Sequence, residues 1–116
     1  MKVFISYNHA DQEKAEQVAK AVKDLGVESF FARRDMLNDA QIKTTILEKL
    51  NASTHLILLL SDNSASSIWV AFEYGVGVGM GIPVLPVLLA PARAGTVTSI
   101  IGDPQNHLVL GKTEEL

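Results

Sequence analysis

Glu73 stands between Phe72 and Tyr74, four residues after Trp69. On a helix, an i, i+4 spacing puts Trp69 and Glu73 on one face. A carboxylate set in an aromatic wall is costly to bury unpaired, so such a placement points to a functional group. The residue types alone also admit a solvated or salt-bridged helix glutamate. A second candidate is Arg33-Arg34-Asp35, two cations beside the expected end of a strand. Arginine binds phosphate in bidentate fashion, so this loop can hold a pyrophosphate; an ordinary solvated loop fits it equally well. The run Gly75-Val76-Gly77-Val78-Gly79-Met80-Gly81 has the glycine density of a phosphate loop. Its context is wrong, because a dinucleotide fingerprint follows a strand and opens a helix. Ala71, Gly75 and Gly79 share a helical face at i, i+4, i+8, which predicts close packing of a helix on a sheet.

Other chemistries find little support. There is no cysteine, which excludes disulfides, thiolate nucleophiles and Cys-ligated metals. His9, His55 and His107 are scattered and lack metal-ligand spacing. His9 falls in a loop and can line a site, whereas His55 and His107 read as strand-edge residues. No nucleophile elbow is visible.

The elements that must position these groups follow from hydrophobic periodicity. Lys2–Tyr7 reads as a strand, and Asn8 can cap the helix after it, with Asp11 in the first turn. Ala15, Val18, Ala19, Val22 and Leu25 form the stripe of that helix, and Gly26 ends it. Val27–Ala32 is a second strand. A polar loop, Arg33–Asn38, leads to a helix from Asp39 to Leu50 with Ile42, Ile46, Leu47 and Leu50 inward. Thr54–Leu60 is continuously apolar, as a strand buried on both faces is. Ser61–Ser67 is a loop, with Ser66 or Ser67 as N-cap of a third helix, Ile68–Met80. Pro83–Leu89 is a fourth strand, Ala90–Asn106 is loop-like with a helical turn near Thr98–Ile101, and His107–Leu110 is a short fifth strand. Alternating strands and helices imply right-handed crossovers and a parallel sheet covered on both faces. The expected fold is a flavodoxin-like, doubly wound α/β domain with five parallel strands. Its closing helix is short or missing, since only Gly111–Leu116 remain. Ligands of such folds bind at the carboxyl ends of the strands, which selects the loops Tyr7–Asp11, Arg33–Asn38 and Ser61–Trp69.

Size and charge agree with that frame. A chain of 116 residues makes one domain, here residues 1–116. The hydrophobic fraction of 47% supplies a core and the charged fraction of 20% a polar surface. Ten basic and thirteen acidic residues give a net charge of −3 with no basic stripe, which argues against a nucleic-acid partner. No signal peptide and no membrane-length apolar run is seen, so a cytoplasmic protein is expected.

Several motifs together resemble a TIR domain. Phe4-Ile5-Ser6-Tyr7 followed by His9-Ala10-Asp11 resembles the family's opening strand and loop. Leu25-Gly26-Val27 and Arg34-Asp35 are similar to its second strand and BB loop, and Leu58-Leu59-Leu60-Ser61 to its third strand. Ser67-Ile68-Trp69-Val70-Ala71-Phe72-Glu73 resembles the S-x-W-x-x-x-E signature, and Pro83-Val84-Leu85-Pro86-Val87 the fourth strand. The likeness spans about residues 2–110. Asn8-His9 stand where some eukaryotic members carry arginines, and Asp35–Asp39 lacks the Pro-Gly common in receptors.

The resemblance implies NAD+ as substrate, with no resident cofactor, and Glu73 as the catalytic carboxylate. It implies cofactor-site roles for Trp69, Tyr7, Asn8, His9, Arg33, Arg34, Asp35 and Ser61. It also implies activation by TIR–TIR self-association, in which a neighbour's BB loop completes the site, as an effector module of bacterial immune defence. The short carboxyl end suggests that a sensor segment, fused or separate, normally accompanies the domain. Two other readings remain open. One is a non-catalytic TIR scaffold. The other is a nucleoside 2-deoxyribosyltransferase-like enzyme, whose E-x-G…G-K-P-V stretch is similar to Glu73-Tyr74-Gly75 through Gly81-Ile82-Pro83-Val84.

Overall fold

A computed structural model describes the backbone of residues 1–30, 39–62, 68–89 and 108–110; the side chains of 39, 40, 42, 68 and 108–110 are outside the description. The elements are β1 (Lys2–Ser6), a 3-10 turn (His9–Asp11), α1 (Gln12–Asp24), β2 (Glu28–Phe30), α2 (Asp39–Asn51), β3 (His55–Leu60), α3 (Ile68–Gly79), β4 (Val84–Leu89) and β5 (Leu108–Leu110). The five strands form one sheet in the order β2-β1-β3-β4-β5, and every pairing is parallel. That order is the flavodoxin-like one, whose switch point lies between β1 and β3.

Two layers of core follow from the strand alternation. On one face Val3, Ile5, Tyr7 and Leu59 pack with Ala15 of α1, against Val18, Ala19 and Val22. On the other, Phe4 and Leu56 pack with Ile46 and Leu50 of α2, and Leu58 and Leu60 pack with Val70 of α3. Leu56, Leu58, Leu59 and Leu60 have no solvent exposure, as expected of a strand buried on both faces.

Both α1 and α3 stop in the same way. Gly26 (φ 79°) and Gly81 (φ 73°) adopt the left-handed conformation that disfavours residues with a Cβ. After α1, the Gly26 amide donates to the Lys23 carbonyl and the Val27 amide to the Val22 carbonyl. After α3, Gly81 donates to Val78 and Ile82 to Gly77. These are Schellman caps, which satisfy the last helical carbonyls and turn the chain into the next strand.

Three expectations need correction. Leu25 does not extend the α1 stripe; it is the C-cap residue and 81% exposed, because the chain has already turned away from the sheet. Leu47 faces outward at 43% exposure, since Ile46 and Leu50 alone fill the inward positions of that turn. The small-residue face of α3 is also reversed: Ala71, Gly75 and Gly79 are exposed, and a Cβ on Gly75 or Gly79 would meet nothing within 4 Å. The close approach belongs to Gly77, where a Cβ would lie 2.7 Å from Leu56 Cδ2. The second strand is described only as Glu28–Phe30. The expected polar loop Arg33–Asn38, the N-cap at Ser66 or Ser67, the turn near Thr98–Ile101, His107 and the chain end lie outside the described residues.

Candidate functional site

Strand alternation in β1 sends Phe4 and Ser6 to the face covered by α2 and α3, and Ile5 and Tyr7 to the face covered by α1. Ser6 is the last residue of β1, so its hydroxyl sits at the carboxyl edge of the sheet beneath α3. There it donates a hydrogen bond of 2.6 Å to Glu73 Oε1, across 67 residues of sequence. Ser6 and Glu73 both have zero solvent exposure. Glu73 is the one charged residue of α3, and it points inward.

The helix face that carries Glu73 also carries Trp69 one turn before and Gly77 one turn after. Gly77 allows the contact with β3 noted above, which brings the Glu73 turn down onto β1. Trp69 is half-buried; its ring meets Phe72 edge-on at 6.0 Å and packs against the cluster of Phe4, Ile46, Leu50 and Leu56. Its indole therefore extends the apolar cover of that face one turn before Glu73.

A second polar contact fixes the neighbouring loop. Asn8 Oδ1 accepts from the Ala10 amide at 2.9 Å, and the Asn8 carbonyl accepts from the Asp11 amide at 2.8 Å. This asparagine-capped turn swings Asp11 inward. The Ser61 hydroxyl, one residue past β3, donates to Asp11 Oδ2, and both residues are buried. The β1–α1 loop is thus tied to the end of β3, across the switch point where ligands of this topology bind.

Of the expected site residues, the structure brings together Glu73, Trp69, Asn8 and Ser61 around the carboxyl ends of β1 and β3. His9 is on the same loop and exposed. The Tyr7 side chain goes to the opposite face, where it is buried against Ala15 and Leu59. Arg33, Arg34 and Asp35 are outside the described residues. Two polar residues were missed as participants, Ser6 and Asp11. The signal for Ser6 was present: it is the one hydroxyl in the otherwise apolar run Val3–Tyr7 apart from the terminal tyrosine. Asp11 reads from the sequence as a first-turn acid at the end of the Tyr7–Asp11 loop, but its tie to Ser61 does not, because that partner is 50 residues away. Among the described residues, no group of three or more His, Asp or Glu is placed to hold a metal.

Comparison with known proteins agrees with this architecture. The family model for the TIR domain matches residues 3–106. A curated relative from Cytobacillus dafuensis, named as a putative cyclic ADP-D-ribose synthase TIR2, is 23% identical over 115 residues, covering 92% of this chain. The chain spans 30% of that relative's length. Among solved structures, the TIR domain of the Toll-related receptor TRR-2 from Hydra magnipapillata superposes with a TM-score of 0.75 at 16% identity, over 93% of this chain and 82% of that one. The TIR domains of the activated Roq1 resistosome give 0.65 at 21% identity, over 77% and 57%. A CMP N-glycosidase, BcmB, from Clostridium botulinum gives 0.69 at 16% identity, over 99% and 93%. The chain belongs to the TIR domain family.

Proposed function

We propose that this TIR domain cleaves NAD+ at the bond between nicotinamide and ribose. The observation that carries the reading is Glu73: a carboxyl group buried at the β1/β3 switch point and held by Ser6, with Trp69 one helical turn before it. The name of the Cytobacillus relative supports the same substrate class.

One carboxylate suffices for this bond. Ordinary glycosidases need a general acid for the leaving group as well as a nucleophile or base. The nicotinamide of NAD+ is a pyridinium, so when the C1′–N bond breaks its electron pair leaves on a neutral ring and no proton is required. Positive charge then develops on the ribose, and Glu73 opposes it at close range in a dry site. The Ser6 hydroxyl fixes one carboxyl oxygen and leaves the group oriented. Trp69 supplies a flat apolar surface for the departing ring. Attack of water at C1′, with loss of its proton to solvent, gives ADP-ribose. Attack by the adenine of the same molecule gives a cyclic product.

Glu73 has no exposure in the isolated chain, so substrate reaches it only when its surroundings open. Self-association through TIR–TIR contacts is the proposed trigger, which suits an effector of bacterial immune defence acting on cytoplasmic NAD+. A fused or separate sensor segment would set that trigger. The direct test is nicotinamide release by concentrated protein, wild type against Glu73→Gln, with chromatography of the ribose product to identify the acceptor. Release abolished by Glu73→Gln is expected. Equal release by both proteins removes Glu73 from the mechanism, and none from clustered wild type leaves the scaffold reading. The fold shared with the CMP N-glycosidase, together with the Glu73–Val84 stretch, favours a second reading, cleavage of a nucleotide or nucleoside N-glycosidic bond. Base release from CMP or deoxyadenosine, without nicotinamide release from NAD+, would establish it.

A further inference from the structure

At the amino end of the sheet, away from Glu73, lies an open concavity of about 900 Å³. Lys2 and Ser6 are the two ends of β1, and at roughly 3.3 Å per residue the two regions are more than 10 Å apart. Four of the chain's ten basic residues line it: Lys2 of β1, Lys20 and Lys23 of α1, and Lys49 of α2. Glu28 is the one acidic residue of the lining. Four lysines against one glutamate make a positive patch on a chain whose net charge is −3.

Helix capping accounts for part of this charge. Lys23 and Lys49 lie in the last turns of α1 and α2, where a cation offsets the negative end of the helix dipole. That duty covers two lysines, and each helix end carries only about half an elementary charge. Lys2 and Lys20 lie outside those turns. The Lys2–Glu28 ion pair is long at 3.7 Å, with side chains 59% and 74% exposed, so little holds Lys2 away from another anion. On the α2 side, beside Lys49, the wall is apolar. Phe30 packs on Phe4 with ring centroids 5.5 Å apart, and the Lys49 ammonium stands 5.2 Å from the Phe30 centroid.

We propose that this concavity binds a small phosphate-bearing ligand of nucleotide size, at a site distinct from that of Glu73. The volume lies in the range of small-molecule sites, which reaches about 1,000 Å³. Lysines serve as point-charge phosphate donors, and the apolar wall accepts a flat organic body. Occupancy would bridge α1, α2 and the edge strand β2.

The test is amide chemical-shift mapping of the full chain with ADP as the probe and adenosine as the phosphate-free control. Saturable shifts over Gly26–Phe30, Lys20 and Lys23 are expected with ADP and not with adenosine. The variant K20E/K23E changes two exposed α1 residues outside the Glu73 site and should weaken ADP by about tenfold or more. Glu73→Gln should bind ADP here as the wild type does, which separates this site from the catalytic reading. No saturable shift up to about 5 mM ADP overturns the proposal. So do equal shifts with adenosine, or shifts confined to Asn8–Asp11 and Ser61. Saturation by hexaglutamate with none by ADP would assign the groove to an acidic segment of a protein instead and also overturn it.

Discussion

The Ser6–Glu73 contact gives two substitutions that look similar and should behave differently. Glu73→Gln keeps the size of the side chain and a carbonyl oxygen that can accept from Ser6, so stability should change little while cleavage is lost. Ser6→Ala removes the donor and leaves Glu73 Oε1 buried without that bond. Loss of a hydrogen bond to a buried carboxyl group costs about 1–3 kcal/mol. Ser6→Ala should therefore lower the denaturation midpoint and also reduce activity, because the carboxylate is no longer held in place. The double variant should be destabilised by less than Ser6→Ala alone, since the amide is easier to leave unmatched than the carboxylate. Additive unfolding free energies would show that the two side chains are not coupled. The site was half legible in the sequence for a physical reason. Glu73 and Trp69 announce themselves by local spacing on one helix, whereas Ser6–Glu73 and Asp11–Ser61 join residues 67 and 50 positions apart. Only the sheet order, with β1 beside β3 and α3 above both, brings those pairs together.

Helix α3 separates what periodicity can and cannot say. Its existence and span follow from the sequence, and the structure agrees within a residue at its end. Its rotation about its own axis does not follow, because Ile68–Gly79 is apolar or small on every side except at Glu73, so no polar stripe marks the solvent face. The small residues Ala71, Gly75 and Gly79 predict an inward face by their size, and the burial of Glu73 and Gly77 reverses it. For α1, by contrast, charged residues flank a clear stripe, and Ala15, Val18, Ala19 and Val22 pack as expected. Opposite outcomes follow at two glycines. Gly75→Ala places a methyl in open space on an exposed helix and should stabilise by about 0.5–1 kcal/mol. Gly77→Ala gains the same propensity but drives a Cβ to 2.7 Å from Leu56 Cδ2. Leu56 has zero exposure and cannot swing clear, so overpacking of about 1–3 kcal/mol should outweigh the gain. Thermal denaturation of the two variants side by side reads the difference. If Gly77→Ala is the more stable of the pair, α3 does not sit on β3 as described.

For the whole molecule, the arrangement of the sheet bears on how the proposed activity is controlled. The β1–α1 loop is fastened to β3 through Asp11 and Ser61, and α3 is fastened to β1 through Glu73 and Ser6. Both ties close the same switch point, and Glu73 ends with no exposure. A monomer locked in this way has its carboxylate in place but out of reach, and a cell that lives on NAD+ needs that off state. Opening then requires a source of free energy, and contacts between copies are the one the TIR family resemblance supplies. Mass action makes that source depend on protein concentration. Specific activity should therefore be low in dilute protein and rise steeply as the chain is concentrated or fused to a clustering partner. Arg34→Glu or Asp35→Lys, in the segment whose family counterpart completes a neighbour's site, should blunt the rise. Far-ultraviolet circular dichroism and melting of these variants should match the wild type. Nicotinamide release assayed from nanomolar to high micromolar chain, with sedimentation run on the same samples, measures both sides of the coupling. A flat specific activity across that range, with both charge reversals silent, would mean that one chain opens and completes the site by itself. The closure at Ser6 and Asp11 would then be a feature of catalysis within the monomer and not its restraint.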